Sequence, residues 1–426
     1  MKSRQQERWK VLPWILLPVI LAYGLVVAVG SADWAPAQNL SSSLATSKAV
    51  QLAQDAMLTL HAVWVDEGPG NEEILTRRRN PDTGEWTAIE NLSQFDWLDS
   101  GAALLFDQYG LGHLIWTRRY ARALGAPDEG SDLMYRQWRD NAWQAEEVLD
   151  HNPSFTPGAY GLVLTPKSDR VLLFVVWNGG YRYAEFHDGA WSPLTAWDYS
   201  LGVNLALVLV DGQNHLHAAA YGPNSSWIGY DPYFYDAYYL FNDGSGWTAP
   251  YNVSYTSSVA SDLDMAFDKQ GRLHFVWCDP DSPYSTESKR SVVWERVLAN
   301  NTWSPYTAIT RQVPNESIFD IGLRADVSNT LHLAWSAAIL MDGEVTEATL
   351  YYGTGDGTGW FAPERVHNST RLSRNLDLLV GNEAVYLAWE EPSPPLDNRD
   401  IYFTCQACVQ NLHGQIFLPL VGKGHP

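Results

Sequence analysis

The sequence is poor in cysteine, poor in basic residues and almost free of helical patterning. Its three cysteines are Cys278, Cys405 and Cys408. Three cysteines cannot build a disulfide framework, so the fold must be held by packing. Cys405 and Cys408 share one Cys-Gln-Ala-Cys string, which cannot complete a tetrahedral zinc site without further ligands. The string therefore predicts a local disulfide in an oxidising compartment.

The shortage of basic residues limits the possible partners. The chain carries 28 Lys and Arg against 49 Asp and Glu, a net charge of −21. Nucleic acids and anionic lipid surfaces require a basic footprint, so the composition argues against both. An acidic surface suits cations or basic partners, but a simply solvated surface is the favoured interpretation. We predict no cofactor and no metal site.

The N-terminus is the one strongly apolar segment. Four basic residues precede an apolar run at residues 11–30: Lys2, Arg4, Arg8 and Lys10. This pattern predicts either a cleaved signal peptide or a signal-anchor helix within residues 1–30, since a run of about 20 residues can cross a bilayer. Both alternatives place the rest of the chain outside the cytoplasm, secreted or at the cell surface, with a possible membrane tether through residues 11–30. Residues 31–46 are small and polar, and predict a linker.

A repeat organises the rest of the chain. Short apolar runs such as LHAVW and LHFVW recur every 43 to 61 residues, and their last positions form a tryptophan slot: Trp64, Trp116, Trp177, Ala220, Trp277, Trp335 and Trp389. A second tryptophan column follows a turn in six repeats: Trp86, Trp143, Trp191, Trp247, Trp303 and Trp360. Two columns with one period indicate a repeat architecture.

Each repeat has the pattern of a propeller blade. Residues 262–310 contain four strand-like segments separated by turns, as in a four-stranded blade. We therefore predict an all-β, seven-bladed β-propeller of four-stranded antiparallel blades over residues 47–421, with a short tail at 422–426. The seventh repeat has no second-column tryptophan. Its outer strand is expected from residues 415–421 or from the N-terminal region.

A histidine column accompanies the slot. The position three residues before the slot is a histidine in five repeats: His61, His113, His217, His274 and His332. In the remaining two repeats it is Phe174 and Tyr386. Equivalent positions in a ring are too far apart to share one metal ion. The column therefore predicts a repeated packing contact or hydrogen bond.

Candidate ligand-binding residues follow the slots, where loops between the second and third strands are expected. These loops offer Asp66, Arg118, Asp279 and Glu390. Loops on a rigid frame often carry function, and acidic residues at several such points would surround the mouth of the central channel. The alternative is that these side chains face water.

The fourth of these loops is rich in aromatic residues. Residues 220–241 contain nine of them, including Tyr221, Trp227, Tyr230 and Tyr233. Exposed aromatic rings stack on sugars and anchor protein contacts, so we expect a recognition surface here. The alternative is a loop packed on its own side chains. Ala220 replaces the slot tryptophan beside this loop and is expected to leave space there.

The turns before the second column resemble the degenerate Asp-box, or BNR, repeats of the sialidase-like propeller superfamily. The nearest strings begin at Asp82, Asp188, Asp243 and Asp356 and end on tryptophan. The resemblance covers most of residues 47–404 as a repeat pattern. It implies a sialidase-like propeller fold and, for a true sialidase, an arginine triad, an Asp acid/base and a Tyr–Glu pair. No Arg-Ile-Pro string lies near the first repeat, and seven repeats depart from the usual six, so these roles are assigned to no residue.

Three function hypotheses follow. The first is an exported binding module that recognises a glycan or protein ligand through its loop face. The second, from the family resemblance, is a sialidase-like glycoside hydrolase. The third is a structural scaffold in a cell-envelope assembly. The ending Leu418-Pro-Leu-Val421 with Lys423 is similar to the tails of some exported bacterial proteins.

Overall fold

The computed structural model describes residues 33–96, 98–120, 130–152, 160–177, 180–197, 203–223, 235–255, 260–279, 292–311, 313, 315–342, 344–381, 384–393 and 398–408. These residues form strands joined by turns, with no helix among them. Within these ranges, accordingly, no segment qualifies as a membrane-spanning helix. The predicted signal or anchor segment, residues 1–30, and the tail segment 415–421 lie outside them.

Seven antiparallel sheets succeed one another along the chain. Blade 1 consists of β2 (Ser47–Gln54), β3 (Leu60–Asp66), β4 (Glu73–Arg79) and β5 (Glu90–Asn91). Blade 2 consists of β6 (Leu98–Phe106), β7 (Gly112–Tyr120), β8 (Gly130–Arg139), β9 (Ala142–Trp143) and β10 (Glu147–Asn152). Blade 3 consists of β11 (Tyr160–Lys167), β12 (Arg170–Trp177), β13 (Gly180–His187), β14 (Ala190–Trp191) and β15 (Thr195–Ala196). Blade 4 consists of β16 (Asn204–Val210), β17 (Leu216–Pro223), β18 (Tyr235–Asn242) and β19 (Tyr251–Asn252).

The remaining blades repeat the pattern, and the seventh is completed from the start of the chain. Blade 5 consists of β20 (Ser261–Phe267), β21 (Leu273–Asp279), β22 (Val292–Ala299), β23 (Thr302–Trp303) and β24 (Thr307–Ala308). Blade 6 consists of β25 (Glu316–Ala325), β26 (Leu331–Met341), β27 (Glu344–Gly355) and β28 (Glu364–Ser369). Blade 7 consists of β29 (Arg374–Val380), β30 (Val385–Ser393), β31 (Asn398–Gln406) and, as its outer strand, β1 (Gln38–Asn39).

The seven first strands form a closed ring. Each contacts the first strand of the next blade, and β29 of blade 7 contacts β2 of blade 1. The second strands lie behind them and are buried on both faces, which explains their nearly continuous apolar runs. The prediction of a seven-bladed propeller with four-stranded antiparallel blades is therefore confirmed, although in blades 2, 3 and 5 the outer strand is divided into two short pieces that both pair with the third strand. We call the end of the ring where second strands pass to third strands the upper face.

Every first strand carries a bulge near the upper face. The register between first and second strands shifts there in all seven blades. In five blades a residue at the bulge has a positive φ: Ala49, Gly101, Asp262, Asp320 and Asn375. A bulge re-aims the side chains around it. The repeated bulge thus re-aims the side chains at the upper end of each first strand.

The slot tryptophans are part of the buried core, but the slot of blade 3 lies two residues earlier than predicted. Trp64, Trp116, Trp277 and Trp389 are at most 1% exposed. In blade 3, however, the register places Val175 in the slot, and Trp177 lies two residues further along the strand. The assignment of Trp177 to the slot was wrong because residues 171–177 are all apolar, and a shift of two residues keeps the same face inward. The equivalent of the histidine position is then Leu172 rather than Phe174.

Four of the five column histidines hydrogen-bond through Nε2 to an aspartate of their own blade, as predicted, whereas Nε2 of His332 has no hydrogen-bond partner among the described residues. Each histidine has its Nε2 within 3.2 to 3.4 Å of an aspartate six residues earlier: Asp55, Asp107, Asp211, Asp268 and Asp326. Each aspartate also accepts two backbone N–H groups of the turn between the first two strands, as Asp107 does from Tyr109 and Leu111. The pair therefore fixes this turn to the second strand.

The second tryptophan column seals the seams between blades. Trp191 packs on Tyr135 of the preceding blade, with ring centroids 5.7 Å apart, and Trp303 packs on Tyr239 at 5.3 Å. The equivalent ring of blade 7 is Trp34. It pairs with Gln406 as the other column members pair with their third strands, and it packs on Tyr352 of blade 6 at 5.1 Å.

Ring closure confirms that the outer strand of blade 7 comes from the N-terminal region, one of the two expected alternatives, and corrects the expected extent of the linker. The second column has its seventh member, which lies in the N-terminal region and not in the seventh repeat. Residues 34–40 also belong to blade 7, although residues 31–46 were expected to be a linker: β1 pairs with β31, and Leu40 is 1% exposed. The small, polar composition misled because a two-residue outer strand needs little apolar surface. The disulfide Cys405–Cys408 closes the end of β31.

Candidate functional site

The four predicted loop residues lie in strands and are buried. Asp66, Arg118, Asp279 and Glu390 are 2%, 3%, 2% and 0% exposed. The second strands continue past the tryptophan slot and pair with the third strands as far as these residues. They were expected in loops because the apolar pattern ends at the slot, whereas the backbone pairing does not. They therefore do not face water, and their role in ligand binding stays a prediction.

Asp66 is the centre of a compact hydrogen-bond cluster in blade 1. Its carboxylate accepts hydrogen bonds from Ser43 Oγ at 3.0 Å, Ser47 Oγ at 2.6 Å and the indole of Trp64 at 3.1 Å. The backbone N–H of Gly68 donates a fourth at 2.7 Å. These contacts tie the chain entering blade 1 to its second strand.

Arg118 belongs to a buried ion-pair network in blade 2. Its guanidinium contacts Asp99 at 3.0 Å and Glu146 at 2.9 Å, and lies 4.2 Å from the ring centroid of Phe95. Burial raises the pKa of Asp99, although the hydrogen bonds from Arg118 oppose the shift. The indole of Trp116 donates to the same carboxylate.

Glu390 joins blade 7 to blade 1 at the channel mouth. Its carboxylate accepts the backbone N–H of Ala49 at 2.6 Å, a hydrogen bond from Asn375 and one from Arg399 at 3.1 Å. Its neighbour Glu391 takes different partners and accepts from His367 at 3.0 Å. The two adjacent carboxylates therefore point apart and form no acid/base pair.

Further acidic groups share this mouth. Asp320 lies at the bulge of blade 6 and accepts the backbone N–H of Asn375 at 2.9 Å. Burial, aided by the nearby Asp262 and Glu390, raises the pKa of Asp320 to about 6, while Arg374 opposes the shift. Asp262 and Glu390 therefore lie close enough to Asp320 to influence its pKa, and Arg374 partly balances their charge. The described residues contain no group of three or more His, Cys, Asp or Glu placed to hold a metal ion.

The predicted aromatic surface of blade 4 is only partly described. Trp227, Tyr230 and Tyr233 lie outside the described residues. Tyr221 lies on β17, and its hydroxyl accepts the backbone N–H of Leu263 in blade 5 at 3.3 Å. Burial raises the pKa of this hydroxyl. Tyr221 therefore links two blades.

Ala220 does not leave its slot open. It is 0% exposed and packs in one core cluster with Val203 and Tyr238. Tyr238 lies directly opposite on the third strand, and its hydroxyl donates to the carbonyl of Pro223 at 2.8 Å. The expectation of free space at Ala220 was wrong because these side chains fill it.

An exposed aromatic surface lies instead at the outer seam between blades 4 and 5. Six Phe and Tyr residues among the described ones are exposed, and three of them meet at this seam. The exposed fractions of Tyr251, Tyr255 and Tyr306 are 38%, 53% and 39%. Tyr251 stacks on Trp303 with ring centroids 5.9 Å apart and an interplanar angle of 3°. Tyr255 meets Tyr251 edge-on at 6.4 Å. We call these three tyrosines together with Trp303 the tyrosine seam.

Arg296 fixes the rings of the tyrosine seam. Its guanidinium lies 5.9, 5.5 and 5.0 Å from the centroids of Tyr251, Trp303 and Tyr306. It donates to the carbonyl of Ser304 at 2.9 Å, and to Val253 of blade 4 at 3.2 Å. Because its donors are bound to both blades, the arginine holds the rings as a rigid platform.

The tyrosine seam was not predicted from the sequence, because the predicted sites lie only in the segments after the slots. A signal was available, since Tyr251 and Tyr306 follow Trp247 and Trp303 by four and three residues. Tyr251 lies on the outermost strand β19 and Tyr306 between the outer strands β23 and β24, where an aromatic residue has no further strand to cover it. A tyrosine there is a stronger indication of an exposed ring than one in a loop of unknown path.

The fold and the seam define the chain as a seven-bladed β-propeller with an aromatic surface between blades 4 and 5. No family model matches the sequence, and no curated protein matches it. Among solved structures, the chain is similar to polysaccharide lyase Uly1, with 11% identity, a TM-score of 0.50 and coverage of 85% of this chain and 90% of the lyase.

Two further solved structures are similar to the chain at comparable sequence identity. An ulvan lyase of polysaccharide lyase family PL25 has 12% identity and a TM-score of 0.50, covering 86% of this chain and 95% of that one. The NanB sialidase of Streptococcus pneumoniae, as a K499G mutant, has 10% identity and a TM-score of 0.47, covering 86% and 69%. At such identities the two lyase matches show a shared propeller fold, and nothing about activity.

Proposed function

We propose that this protein is a carbohydrate-binding propeller that holds a glycan chain on the tyrosine seam. The observation that carries the proposal is the gathering of three exposed tyrosines at one seam, two of which, Tyr251 and Tyr306, pack on the half-buried Arg296. Tyrosine presents a flat apolar face together with a hydroxyl, which matches the C–H faces and hydroxyls of a sugar ring. The fold shared with polysaccharide lyases is consistent with a carbohydrate-related role.

The rigidity of the seam supports this function. Tyr251 is stacked on Trp303, and both are packed against Arg296, so few rotamers are left to lose when a ligand binds. Ordering a free side chain at an interface costs about 0.5–1.5 kcal/mol, and a preorganised platform avoids this cost. Binding a flexible polysaccharide is favoured when the protein side is already ordered.

The net charge of the protein limits which glycans the tyrosine seam is expected to bind. The net charge of −21 repels polyanions at a distance. The carboxylates near the seam, Asp236 and Asp279, are buried. A neutral or amino-sugar polymer therefore fits better than a sulfated or uronic one.

A glycan array tests the proposal. We expect the purified full chain to retain a set of neutral glycans, and Tyr255→Ala and Tyr306→Ala to weaken binding at least about tenfold, about 1.4 kcal/mol for each lost stacking contact. Tyr109→Ala is the matched control, since Tyr109 is 66% exposed in blade 2, away from the seam. Equal binding in all variants would show that the glycan does not bind at the tyrosine seam. An array on which no glycan binds the protein would overturn the proposed carbohydrate-binding function.

The same preparations decide between binding and catalysis. They are incubated with fluorogenic glycosides, including a sialoside, which is the substrate class that the second hypothesis predicts. Turnover that survives Tyr255→Ala but not Glu390→Gln would assign a hydrolase centre to the channel mouth. Binding without turnover supports a binding module.

We propose that the protein acts outside the cytoplasm. The basic residues before the apolar run at 11–30 and the disulfide Cys405–Cys408 both support export. Cell fractionation with N-terminal sequencing tests this: a mature start after residue 30 indicates a secreted protein, an intact start in the membrane fraction a tethered one, and a cytoplasmic product would contradict export.

A further inference from the structure

A cleft opens between blades 4 and 5 at the end of the ring opposite the upper face. Its volume is about 870 Å³, within the roughly 300–1,000 Å³ that is usual for a small-molecule site. Its apolar lining includes the rings of Phe241 and Phe267 and the side chains of Leu273 and Leu298. Its polar lining comes from three turns of the two blades: Gln213, His215, Lys269, Gln270, Asn300 and Asn301.

The cleft is present because one aromatic ring is missing from this seam. Between blades 1 and 2, Trp138 packs on His61 with ring centroids 4.8 Å apart, and between blades 2 and 3 Phe186 packs on His113 at 4.5 Å. Leu298 has the equivalent position in blade 5, since all three pair with the residue before the histidine position of their own blade. The smaller leucine does not fill the seam, and the space remains open.

His215 supplies the cleft with a hydrogen-bonding group in a fixed orientation. Its Nδ1 lies 3.0 Å from the carboxylate of Asp211, which also binds Nε2 of His217 at 3.4 Å. Its side chain is 27% exposed, and its Nε2 has no partner among the described residues. Asp211 therefore holds the imidazole while Nε2 stays available to a ligand.

Amide side chains supply most of the other polar groups of the cleft. Gln213 and Gln270 are exposed and lie on equivalent turns of the two blades. Asn300 and Asn301 form the hairpin turn of blade 5, with φ of 49° and 58°. Each amide offers both donors and an acceptor, as sugar hydroxyls require, while the phenylalanine rings suit the C–H face of a sugar.

The charges at the cleft favour an uncharged ligand. Asp211 and Asp268 each accept two backbone N–H groups of their own turn, at 2.8 to 3.0 Å. Burial would raise the pKa of both carboxyls, but these hydrogen bonds and those from neighbouring side chains lower it. Both are thus ionised at neutral pH and outnumber the one lysine of the lining, Lys269.

The cleft adjoins the tyrosine seam. Leu298 of the cleft pairs directly with Trp303 of the tyrosine seam. Trp303 packs on Tyr239 at 5.3 Å, and the hydroxyl of Tyr239 lies 2.8 Å from Nδ1 of His217, which lines the cleft. The two surfaces therefore lie on the same pair of blades and share a wall.

We infer that the cleft binds the continuation of the glycan chain that the tyrosine seam holds, so that the ligand is a neutral oligosaccharide or polysaccharide rather than a short glycan. This inference rests on the proposed function and narrows it. A disaccharide contacts only one of the two surfaces, whereas a longer chain contacts both and gains affinity.

Isothermal titration calorimetry of the full chain tests the dependence on chain length. The sugars are cellobiose and cellohexaose, mannobiose and mannohexaose, and chitobiose and chitohexaose. We expect at least one hexasaccharide to bind at least about tenfold more tightly than its disaccharide. Equal affinities within all three pairs would overturn the inference.

Leu298→Trp closes the cleft with a ring that the fold already accepts elsewhere. It reproduces in blade 5 the pair that Trp138 and Trp143 form in blade 2, with ring centroids 5.4 Å apart. We expect this variant to lose the preference for the hexasaccharide and to bind the disaccharide as before. Val327→Trp is the matched control, because it adds the same ring at a position 79% exposed in blade 6.

A second variant removes polar groups and leaves the core untouched. Gln213→Ala combined with Gln270→Ala should weaken hexasaccharide binding at least about fivefold, since two hydrogen-bonding amides are lost. Gln108→Ala is its control, because Gln108 is exposed on the equivalent turn of blade 2. If Leu298→Trp also weakens disaccharide binding, it has disturbed Trp303, and the glutamine variant decides alone.

The outcomes separate this inference from the proposed function. A hexasaccharide preference that survives both cleft variants, with binding still dependent on Tyr255, keeps the proposed function and overturns the inference. Binding that depends on the cleft but is unchanged by Tyr255→Ala keeps the cleft as a glycan site and removes the glycan from the tyrosine seam. An unchanged protein that binds no neutral glycan overturns both.

Discussion

Trp34 donates its indole N–H to the carboxylate of Glu364 over 2.9 Å, although 330 residues separate the two along the chain. The same ring packs edge-to-face on Tyr352. Both partners belong to blade 6, and Trp34 belongs to blade 7 through its pairing with Gln406. One residue near the N-terminus therefore seals the last seam of the ring, as the second-column tryptophans seal the other six.

Trp34→Ala is expected to open this seam. We predict a loss of about 2–4 kcal/mol in the free energy of unfolding, since a large aromatic side chain and its packing are removed. Guanidinium denaturation followed by tryptophan fluorescence measures it. Leu44→Ala is the control in the same N-terminal region, because Leu44 is 88% exposed and its truncation should cost under about 0.5 kcal/mol. Equal midpoints for the two variants would remove Trp34 from the closure.

Trp277→Ala tests the slot column. The ring is 1% exposed and lies in a core cluster with Phe275 and Met265. Truncation should lower the free energy of unfolding by about 3–5 kcal/mol, because a fully buried aromatic ring leaves a cavity. Val327→Ala, at a position 79% exposed, is the control. Unchanged melting of Trp277→Ala would take the slot out of the core.

The sequence predicted the number of blades well because two tryptophan columns mark each blade independently. It could not predict that Trp34 completes the second column, because the pairing partner Gln406 lies at the other end of the chain. It misplaced the slot of blade 3, since consecutive apolar residues from Val171 to Trp177 do not reveal which of them faces inward.

The candidate site was harder to predict than the fold. Asp66 and Glu390 were expected on a loop face, yet both satisfy buried backbone and side-chain donors between neighbouring segments. The partners of a buried carboxylate depend on which segments of the chain meet in the fold, and the repeat period does not predict those contacts. The tyrosine seam is likewise assembled from two blades, with Tyr251 from one and Tyr306 from the next.

Acidification should destabilise the fold through the histidine column. Burial lowers the pKa of His61, His113, His217 and His332, although the partner aspartates oppose the shift. Their folded pKa values lie below the unfolded value, so the unfolded chain binds more protons as the pH falls below about 6.5, and the free energy of unfolding decreases. The stability from these groups is complete above that pH.

The aspartate partners act in the same direction at lower pH. Burial alone would raise the pKa of Asp55 and Asp211, but hydrogen bonds from the turn and the histidine outweigh it and lower these pKa values.

Denaturation midpoints between pH 7.5 and 5 measure the loss of stability that arises from the histidines. His113→Gln should reduce the slope by at most about 1.4 kcal/mol per pH unit. A slope equal to that of the unchanged protein would show that His113 does not titrate in this window.

Arg118 allows a test of whether a predicted ligand residue is structural. Arg118→Ala leaves Asp99 buried without its cation, and we expect a loss of about 3–5 kcal/mol in the free energy of unfolding. Combining Arg118→Ala with Asp99→Asn should recover most of this loss, because the buried charge is removed while an acceptor remains for the indole of Trp116. Urea denaturation of the single and double variants measures the coupling. If Arg118→Ala melts like the unchanged protein and loses glycan binding, Arg118 is a ligand-binding residue, as the sequence predicted. If the double variant is as unstable as Arg118→Ala, the cost arises from lost packing on Phe95 rather than from the unpaired carboxylate.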